Sequence, residues 1–545
     1  MAIAALTAPP DIATNNGAWR LWRDRRRAEF EAYCPIERAT TFYFSPTGND
    51  TTGDGTLANP YATRAKAITL TAANRAFSFE RGGTWRESGT WQLGDNATVC
   101  AHGTGDDPVF DRFTVQHLAA DGDWGDQSTN RWQVNEATDV AWVKLSAFPL
   151  TRPLQRVATA AACGTTANSW AWISGAPSVL YINLNGDNPN DFDVDVCPSN
   201  DTENGVEFNG DGSRVDSIVT YGWGCHRTAT SPQRQGITST ATDAEANLVT
   251  NSQSYYGGSH AIAHYAGTDG TSGGLFMATD CRAGYTKWNS SAGETVFNSY
   301  SDSGDQETWW LGCHADYGTL PSSDWSPTAT NKLRGNSFYS HTDGGVGSES
   351  ALIVIDNCNA HSENDYGPAQ LASTVHTVTP TETDRTTYRS FITYNTQGMP
   401  TAATTPANTL PFDSNTIFYN NYWQFYPVAG FTQFQTLADG VPMLNVWFLQ
   451  NRIVVDALAI ANTPWGFINP HSGEESEIYA YHNWIELNNA AAVNINRFGM
   501  DYDVRDDTTA TGVGVPGAGE ARLWKFVNNV LVANKTGAGN YYLGV

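Results

Sequence analysis

The sequence predicts an elongated all-β protein in which short strands wind into stacked coils, and three observations predict it. First, one phrase keeps returning, a few apolar residues followed by a small polar turn: Ser217-Ile-Val-Thr-Tyr-Gly, Asn247-Leu-Val-Thr-Asn-Ser, Leu275-Phe-Met-Ala-Thr-Asp, Thr295-Val-Phe-Asn-Ser-Tyr, Asn336-Ser-Phe-Tyr-Ser-His and Ile353-Val-Ile-Asp-Asn-Cys. Later versions are Thr416-Ile-Phe-Tyr-Asn-Asn, Asn445-Val-Trp-Phe-Leu-Gln-Asn, Glu477-Ile-Tyr-Ala-Tyr-His-Asn and Trp524-Lys-Phe-Val-Asn-Asn. The spacings, mostly about 18 to 40 residues, are of the order of one stacked coil or two, wider than the turn rhythm of about 8 to 12 residues in a β-sandwich. Second, 50 Gly and only 16% charged residues suit short strands joined by turns, with few helices. Third, 545 residues exceed one ordinary compact core, yet no linker-like tract divides them. A stack in which each coil packs on its neighbours grows without that limit.

The opening coil is written in Phe42-Tyr-Phe-Ser-Pro-Thr-Gly-Asn-Asp and the stretch that follows to Thr63. Gly48, Gly53 and Gly55 admit positive φ, while Asn49 and Asp50 bond their own backbone. Ser45 to Asp50 and Gly55 to Thr63 fit, position by position, the "x-V-S-P-x-G-N-D" and "G-T-x-x-x-P-[FYW]-x-T" patterns that open right-handed parallel β-helix proteins acting on polysaccharides. On these residues the chain resembles that family. The resemblance implies an all-β, right-handed parallel β-helix, here with an N-terminal helix and a small antiparallel β insertion.

Five regions are expected: a helical anchor or cap over 1–39, first coils over 40–104, the insertion over 105–200, the main β-helix over 201–400, and further coils or a trimerisation region over 401–545. The helix is read between Gly17 and Cys34, where Trp19, Trp22, Phe30 and Tyr33 fall on one face at a 3.6-residue period. Arg20, Arg23, Arg25, Arg26 and Arg27 give it a charge opposite to the rest of the chain. It is expected to cap the open end of the stack, to dock an acidic partner, or to do both, with Trp19, Trp22, Arg23, Arg26 and Phe30 as the partner-binding residues. The insertion is read from Arg131-Trp-Gln-Val, Val140-Ala-Trp-Val-Lys-Leu, Ser169-Trp-Ala-Trp-Ile and Val179-Leu-Tyr-Ile-Asn-Leu, which alternate like antiparallel strands. At the ends of the recurrent phrases, Asn tolerates left-handed backbone at a corner and can ladder with the Asn of the next coil.

A formal net charge of −25 argues against nucleic acid and anionic membranes as principal partners. No apolar run approaches the roughly 18 residues of a membrane span. Met1 to Pro10 lacks the charged start and apolar centre of a signal peptide, so synthesis and folding in the cytoplasm are expected. The eight cysteines include no Cys-x-x-Cys pair, so buried thiols are expected, with no metal and no cofactor.

Candidate chemistry concentrates between Gly236 and Asn331, where ten carboxylates and twelve aromatic residues accompany only Arg282 and Lys287. Aromatic faces stack on sugar rings and carboxylates accept hydroxyl hydrogen bonds, whereas an anionic glycan would want Arg and Lys forks. A neutral or mildly charged saccharide is therefore favoured. Asp305 and Glu307, at i and i+2, would point the same way about 6.6 Å apart if extended, which leaves room for the water of an inverting glycosidase. Asp302 and Asp343, beside Gly304 and Gly344 in equivalent turns, would instead stack at about 4.8 Å in the closer retaining geometry. His260 and His264 in Ser259-His-Ala-Ile-Ala-His resemble the "S-x-H-G-I" strand of β-helix lyases and hydrolases, with Ala261 in place of Gly, and are candidate proton shuttles. The expected sugar-binding residues are Trp309, Trp310, Trp288, Tyr255, Tyr256 and Arg282.

With its helical start and its carbohydrate-acting coils, the chain resembles the spike of a phage or phage-like particle. That resemblance implies a homotrimer on a virion surface, attached to the particle through the N-terminal helix, which binds cell-surface polysaccharide and sometimes cleaves it. The rivals are a free polysaccharide lyase or glycoside hydrolase, whose helix would fold onto its own solenoid, and a non-catalytic structural spike.

Overall fold

The computed structural model describes residues 16–128, 130–146, 154–199, 203–224, 235–239, 246–258, 260–266, 274–284, 286–287, 295–301, 306–315, 319–320, 336–342, 351–361, 393–394, 412–425, 433–435, 443–457, 469–470, 476–489, 498–499, 523–535 and 543–544. They wind as the expected parallel β-helix with three long faces. The first sheet has twelve strands, from Thr40–Phe44 to Leu523–Val527, and the second has eleven, from Thr84–Arg86 to Val530–Lys535. The third has six, from Trp91–Leu93 to Asn336–Thr342. One coil passes through the third, first and second sheets in that order, as in His260–Ala266, Leu275–Thr279 and Arg282–Gly284. Each strand pairs in parallel with the equivalent strand of the next coil, as Leu275–Thr279 does with Gln306–Leu311. This is incompatible with a sandwich of antiparallel neighbours.

Side chains alternate between the interior and the outer surface. In the strand Ala351–Asp356, Ile353 and Ile355 join the central core while Leu352 and Val354 face outward. The core rises through stacked residues such as Ala278, Trp310, Ile355, Phe418 and Phe448, with Phe418 and Phe448 face to face at 4.6 Å.

The corner between the first and second sheets divides the Asn role anticipated from sequence between two consecutive residues. The first is left-handed and points out: Asn357, Asn420 and Asn528 have φ of 55°, 52° and 53°, and Gly312 holds the same place at 62°. The second points in and builds a ladder. Asn421 Nδ2 donates to Asn451 Oδ1 at 2.9 Å, Asn451 to Asn483 at 2.9 Å, and Asn483 to Asn529 at 2.8 Å. In earlier coils the ladder position holds Cys281, Cys313 and Cys358, buried free thiols. Seven cysteines are described; all seven are buried and none is in a disulfide.

Helix α1 (Asn16–Tyr33) neither caps the stack nor presents its apolar face to a partner. It lies along the outer face of the first sheet, where Trp19, Phe30 and Cys34 are fully buried against Leu248, Met277, Trp309, Val354 and Ile417. The fit is metric. From Arg23 to Arg26 the helix rises about 4.5 Å and one rung about 4.8 Å, so these two arginines meet acids of neighbouring coils, while Arg27, next to Arg26, reaches the coil before. Arg23 reaches Asp356 at 3.0 Å, Arg26 reaches Glu307 at 2.6 Å, and Arg27 reaches Asp280 at 3.2 Å. The cap is α2 (Arg64–Thr69) and its flanks: Trp85 and Trp91, in the end strands of the second and third sheets, donate to Ala62 O and Thr71 Oγ1, each at 2.8 Å.

Between Val109–Asp111 and Val206–Phe208 the chain leaves the stack and forms two small sheets. One is Val115–His117, Val194–Pro198 and Val140–Leu145, all antiparallel. The other has five strands, antiparallel except where Gln155–Arg156 joins Ser169–Ile173. Lys144 fastens this insertion to the second sheet: its Nζ lies 4.6 Å and 4.9 Å from the Phe113 and Tyr221 rings and 3.7 Å from Asp195. Among the described residues, no helix is long and apolar enough to cross a membrane.

Candidate functional site

Most of the sequence-derived site residues occupy structural positions. Glu307 is buried beneath α1 with both oxygens on Arg26, at 2.7 and 2.6 Å, and Trp309 Nε1 donates to it at 2.6 Å. That corrects its reading as a catalytic acid, because an ion pair closed on both sides reaches no substrate. Trp309 is sealed under the same helix and Trp310 lies in the central core, so neither offers a ring to a sugar. Tyr255 and Tyr256 pack with Phe113, Trp142 and Cys197 where the insertion meets the second sheet. Trp19, Trp22, Arg23, Arg26 and Phe30 are engaged by the protein's own first sheet, which corrects the partner-binding reading. Arg282 is exposed, on the outer face of the second sheet, in register with His314. Asp302, Asp305, Asp343 and Trp288 lie outside the described residues.

His264 points inward. Its ring stacks on Phe276 at 5.1 Å, and Nδ1 lies 2.9 Å from Thr308 Oγ1. Complete burial pushes its pKa down to about 3, so the ring is neutral and does not shuttle protons near neutral pH. The folded pKa lies below the unfolded value of about 6.5, so the unfolded state takes up the proton first and stability falls as pH drops from about 6.5 toward 3. At pH 4.5 the loss attributable to this residue is roughly 3 kcal/mol. Melting curves of wild type and His264→Gln across pH 7 to 4.5 test this: the variant is expected to show the shallower acid slope, and parallel slopes would refute the assignment.

His260 is the sequence candidate that lands among other polar groups. It starts a strand of the third sheet, in register with Gln235, on the outer face. Inward-facing Val206, Ile237, Ile262 and Phe297 fix the parity of these strands, so Glu207, Thr238, Ala263 and Asn298, one residue on, form a single outward column. All four are buried. Around the column, Asn204 Nδ2 donates to Glu207 Oε2 at 2.9 Å, and Asn204 Oδ1 accepts from Gln235 N at 2.8 Å. Gln235 Nε2 donates to Tyr265 OH at 2.9 Å, and the Tyr265 ring stands 6.2 Å from that of His260. Two buried polar atoms in the column, Thr238 Oγ1 and Asn298 Oδ1, have no hydrogen-bond partner among the described residues. Buried polar groups are nearly always satisfied, so such an orphan is where a water or ligand atom belongs.

The sequence reading missed Asn204, Glu207, Gln235, Thr238, Tyr265 and Asn298. A usable signal was the polar residue that follows each inward apolar one in Val206-Glu, Ile237-Thr and Phe297-Asn. Ser301 and Thr342 are register partners in this sheet, and Asp302 and Asp343 are the next residues in the sequence. No group of His, Cys, Asp and Glu suited to a metal ion occurs among the described residues.

No protein-family model matches this chain, and no curated protein does. Among solved structures, it is similar to XylC in complex with xylose, at 11% identity and a TM-score of 0.47, over 90% of this chain and 75% of that one. A glycoside hydrolase gives 10% identity and a TM-score of 0.47, over 90% and 97% of the two chains. Pectate lyase Pel9A gives 10% and 0.32, over 88% and 83%. At TM-scores below 0.5 none of these likenesses argues for a shared activity.

Proposed function

We propose that this chain binds polysaccharide along the outer face of its third sheet and cleaves it there as a glycoside hydrolase. The observation that carries the reading is the outward strip of Asn204, Glu207, Gln235, Thr238, His260 and Asn298, almost fully buried yet polar, with two atoms unsatisfied. A rigid stack holds such groups at fixed spacing, and that pre-organisation is what recognition of a hydroxyl-rich chain requires. Asp302 and Asp343 are the proposed nucleophile and acid/base of a retaining pair, because they follow register-paired strand ends of the same sheet.

Replacing His260 or Gln235 by Ala is expected to weaken binding to a cell-surface polysaccharide about tenfold each, the equivalent of one hydrogen bond. Asp302→Asn and Asp343→Asn should abolish reducing-end release while sparing binding. Unchanged affinity in the first pair, in folded protein, would remove the face from consideration. Unchanged turnover in the second pair would remove the acids.

The setting is read from α1. Its closure on its own solenoid favours a self-contained polysaccharide-active protein over one whose helix is an anchor. The spike of a phage-like particle is the second reading, and the observation in its favour is the outward surface of α1, where Leu21 is 74% exposed. A homotrimer that co-purifies with a particle would support the spike, and a monomer in solution the enzyme.

A further inference from the structure

Helix α1 runs against the growth of the stack. Arg27, Arg26 and Arg23 meet acids of successive coils in the order Asp280, Glu307 and Asp356, and the Trp19 ring stands 5.7 Å from that of Tyr419 in the coil after. Its first residues therefore face the later coils. The two outward columns that it covers continue past it in unbroken register. One runs from Trp309 through Val354, Ile417 and Trp447 to Tyr479, and the other from Tyr419 through Leu449 and Tyr481 to Val527. Burial falls away along both: Trp309, Val354, Ile417, Tyr419 and Leu449 are buried, Trp447, Tyr479 and Tyr481 are partly exposed, and Val527 is 40% exposed. Trp447 and Tyr481 pack on the same cluster as Trp19 and Phe30, so this ledge is a continuation of the α1 interface.

The ledge suits aliphatic side chains better than sugar. The Trp447 and Tyr479 rings lie face to face at 4.1 Å, and the Tyr481 ring is inclined by only 19° to that of Trp447 at 6.4 Å. Their faces are turned along the stack and their edges outward, whereas a pyranose stacks on a face. Lengths then name the occupant. Asn16 stands three residues before Trp19, about 4.5 Å, which brings it level with the coil of Leu449, one rung past Tyr419. Tyr481 and Val527 lie about 4.8 and 9.6 Å further on. Ile12, four residues before Asn16, falls about 6 Å beyond it in a continued helix and about 13 Å beyond it in an extended chain, over Tyr481 in the first case and at the Val527 end of the ledge in the second. We propose that residues 11–15, which lie outside the described residues, continue the α1 clasp along this ledge, with Ile12 seated against Tyr481 and Val527.

The test places a cysteine at Val527 in the full chain, a small change at an exposed position, and follows maleimide labelling above the wild-type background. Labelling of Val527→Cys is expected to be slow, and adding Ile12→Asp should speed it about tenfold, the factor carried by one buried aliphatic side chain. A Leu21→Cys reference, exposed on the outer surface of α1, should label at one rate with and without Ile12→Asp. Melting should be alike in all of these proteins, since Trp19, Arg23 and Arg26 keep their partners. Ile12→Cys combined with Val527→Cys should also close an intramolecular disulfide under mild oxidation, faster than Ile12→Cys combined with Leu21→Cys. Equal labelling of Val527→Cys in the two backgrounds, or a cross-link no faster than the reference, overturns the placement. Protection that grows with protein concentration, accompanied by covalent dimers, would mean that a second copy of the chain covers the ledge, and overturns it as well.

Discussion

Glu307→Gln is expected to destabilise the α1 clasp by about 3 kcal/mol, the lower end of the range for breaking a buried ion pair by removing one partner, because Glu29 still pairs with Arg26 at 2.9 Å. The Arg26 side chain is 2% exposed and that of Glu307 7%, so the guanidinium would keep Glu29 on one side and face an amide on its buried side. Trp309 Nε1 would lose its strongest acceptor at the same time. The helix then holds by its apolar face and by Arg23 and Arg27, which are respectively 25% and 40% exposed and correspondingly weaker. Because stacked coils need not unfold in one step, the measurement is local: amide exchange across Asn16–Tyr33, together with tryptophan emission from Trp19, Trp22 and Trp309. Faster exchange confined to α1 and the first sheet beneath it, with a red shift, is expected. Arg26→Met combined with Glu307→Leu should recover much of the loss, since matched apolar groups remove the buried guanidinium along with its lost partner. Protection unchanged in Glu307→Gln would mean that the helix is held by tryptophan packing alone.

Asn451→Leu is expected to cost roughly 4 kcal/mol, from several buried groups at about 1–3 kcal/mol each. Asn451 Oδ1 accepts from Asn421 N and Asn421 Nδ2, at 3.1 and 2.9 Å. Its Nδ2 donates to Phe418 O at 3.1 Å and to Asn483 Oδ1 at 2.9 Å. Removing the amide therefore leaves two donors and the Phe418 carbonyl unmatched in a dry interior. Asn451→Asp should be at least as damaging, since it restores the acceptor but not the donors and buries a charge. The neighbouring corner gives the contrast. Asn420 is exposed with φ of 52°, so Asn420→Gly should be nearly neutral and Asn420→Ala should cost only about 1 kcal/mol. Equal effects at 420 and 451 in thermal melts would contradict the division of roles between them.

How much of this was legible can be argued from the same residues. The Asn-tailed phrases forecast corners that need left-handed backbone and a ladder, because both follow from the chemistry of one side chain. They did not reveal that consecutive residues share the work, nor that Cys281, Cys313 and Cys358 hold the ladder position in earlier coils. Nor do all the phrases belong to one face: Thr295–Ser301 and Asn336–Thr342 lie in the third sheet and Val219–Tyr221 in the second. Three faces per coil blur a single repeat length. The amphipathic helix was visible as a helix with one apolar face, but what that face meets was not.

For the candidate site the position is similar. His260 was reached through a strand that resembles those of polysaccharide-acting β-helices, whereas Glu307, Trp309 and Trp310 drew attention as an acidic and aromatic cluster. Strand alternation gives those residues their parity, but an outward acid on a solenoid is a ligand-binding group or an ion-pair partner according to what covers it.

The sequence alone determined that this chain forms parallel coils with left-handed corners and an apolar interior, since backbone conformation and side-chain alternation are local properties. Only the tertiary structure decided which outward surface is closed and which carries the polar strip. Arg26 and Glu307 stand 281 residues apart in the chain and meet, as Arg23 and Asp356 do on the next coil, because three helical residues and a rung have nearly the same rise, a coincidence of lengths that no local pattern records.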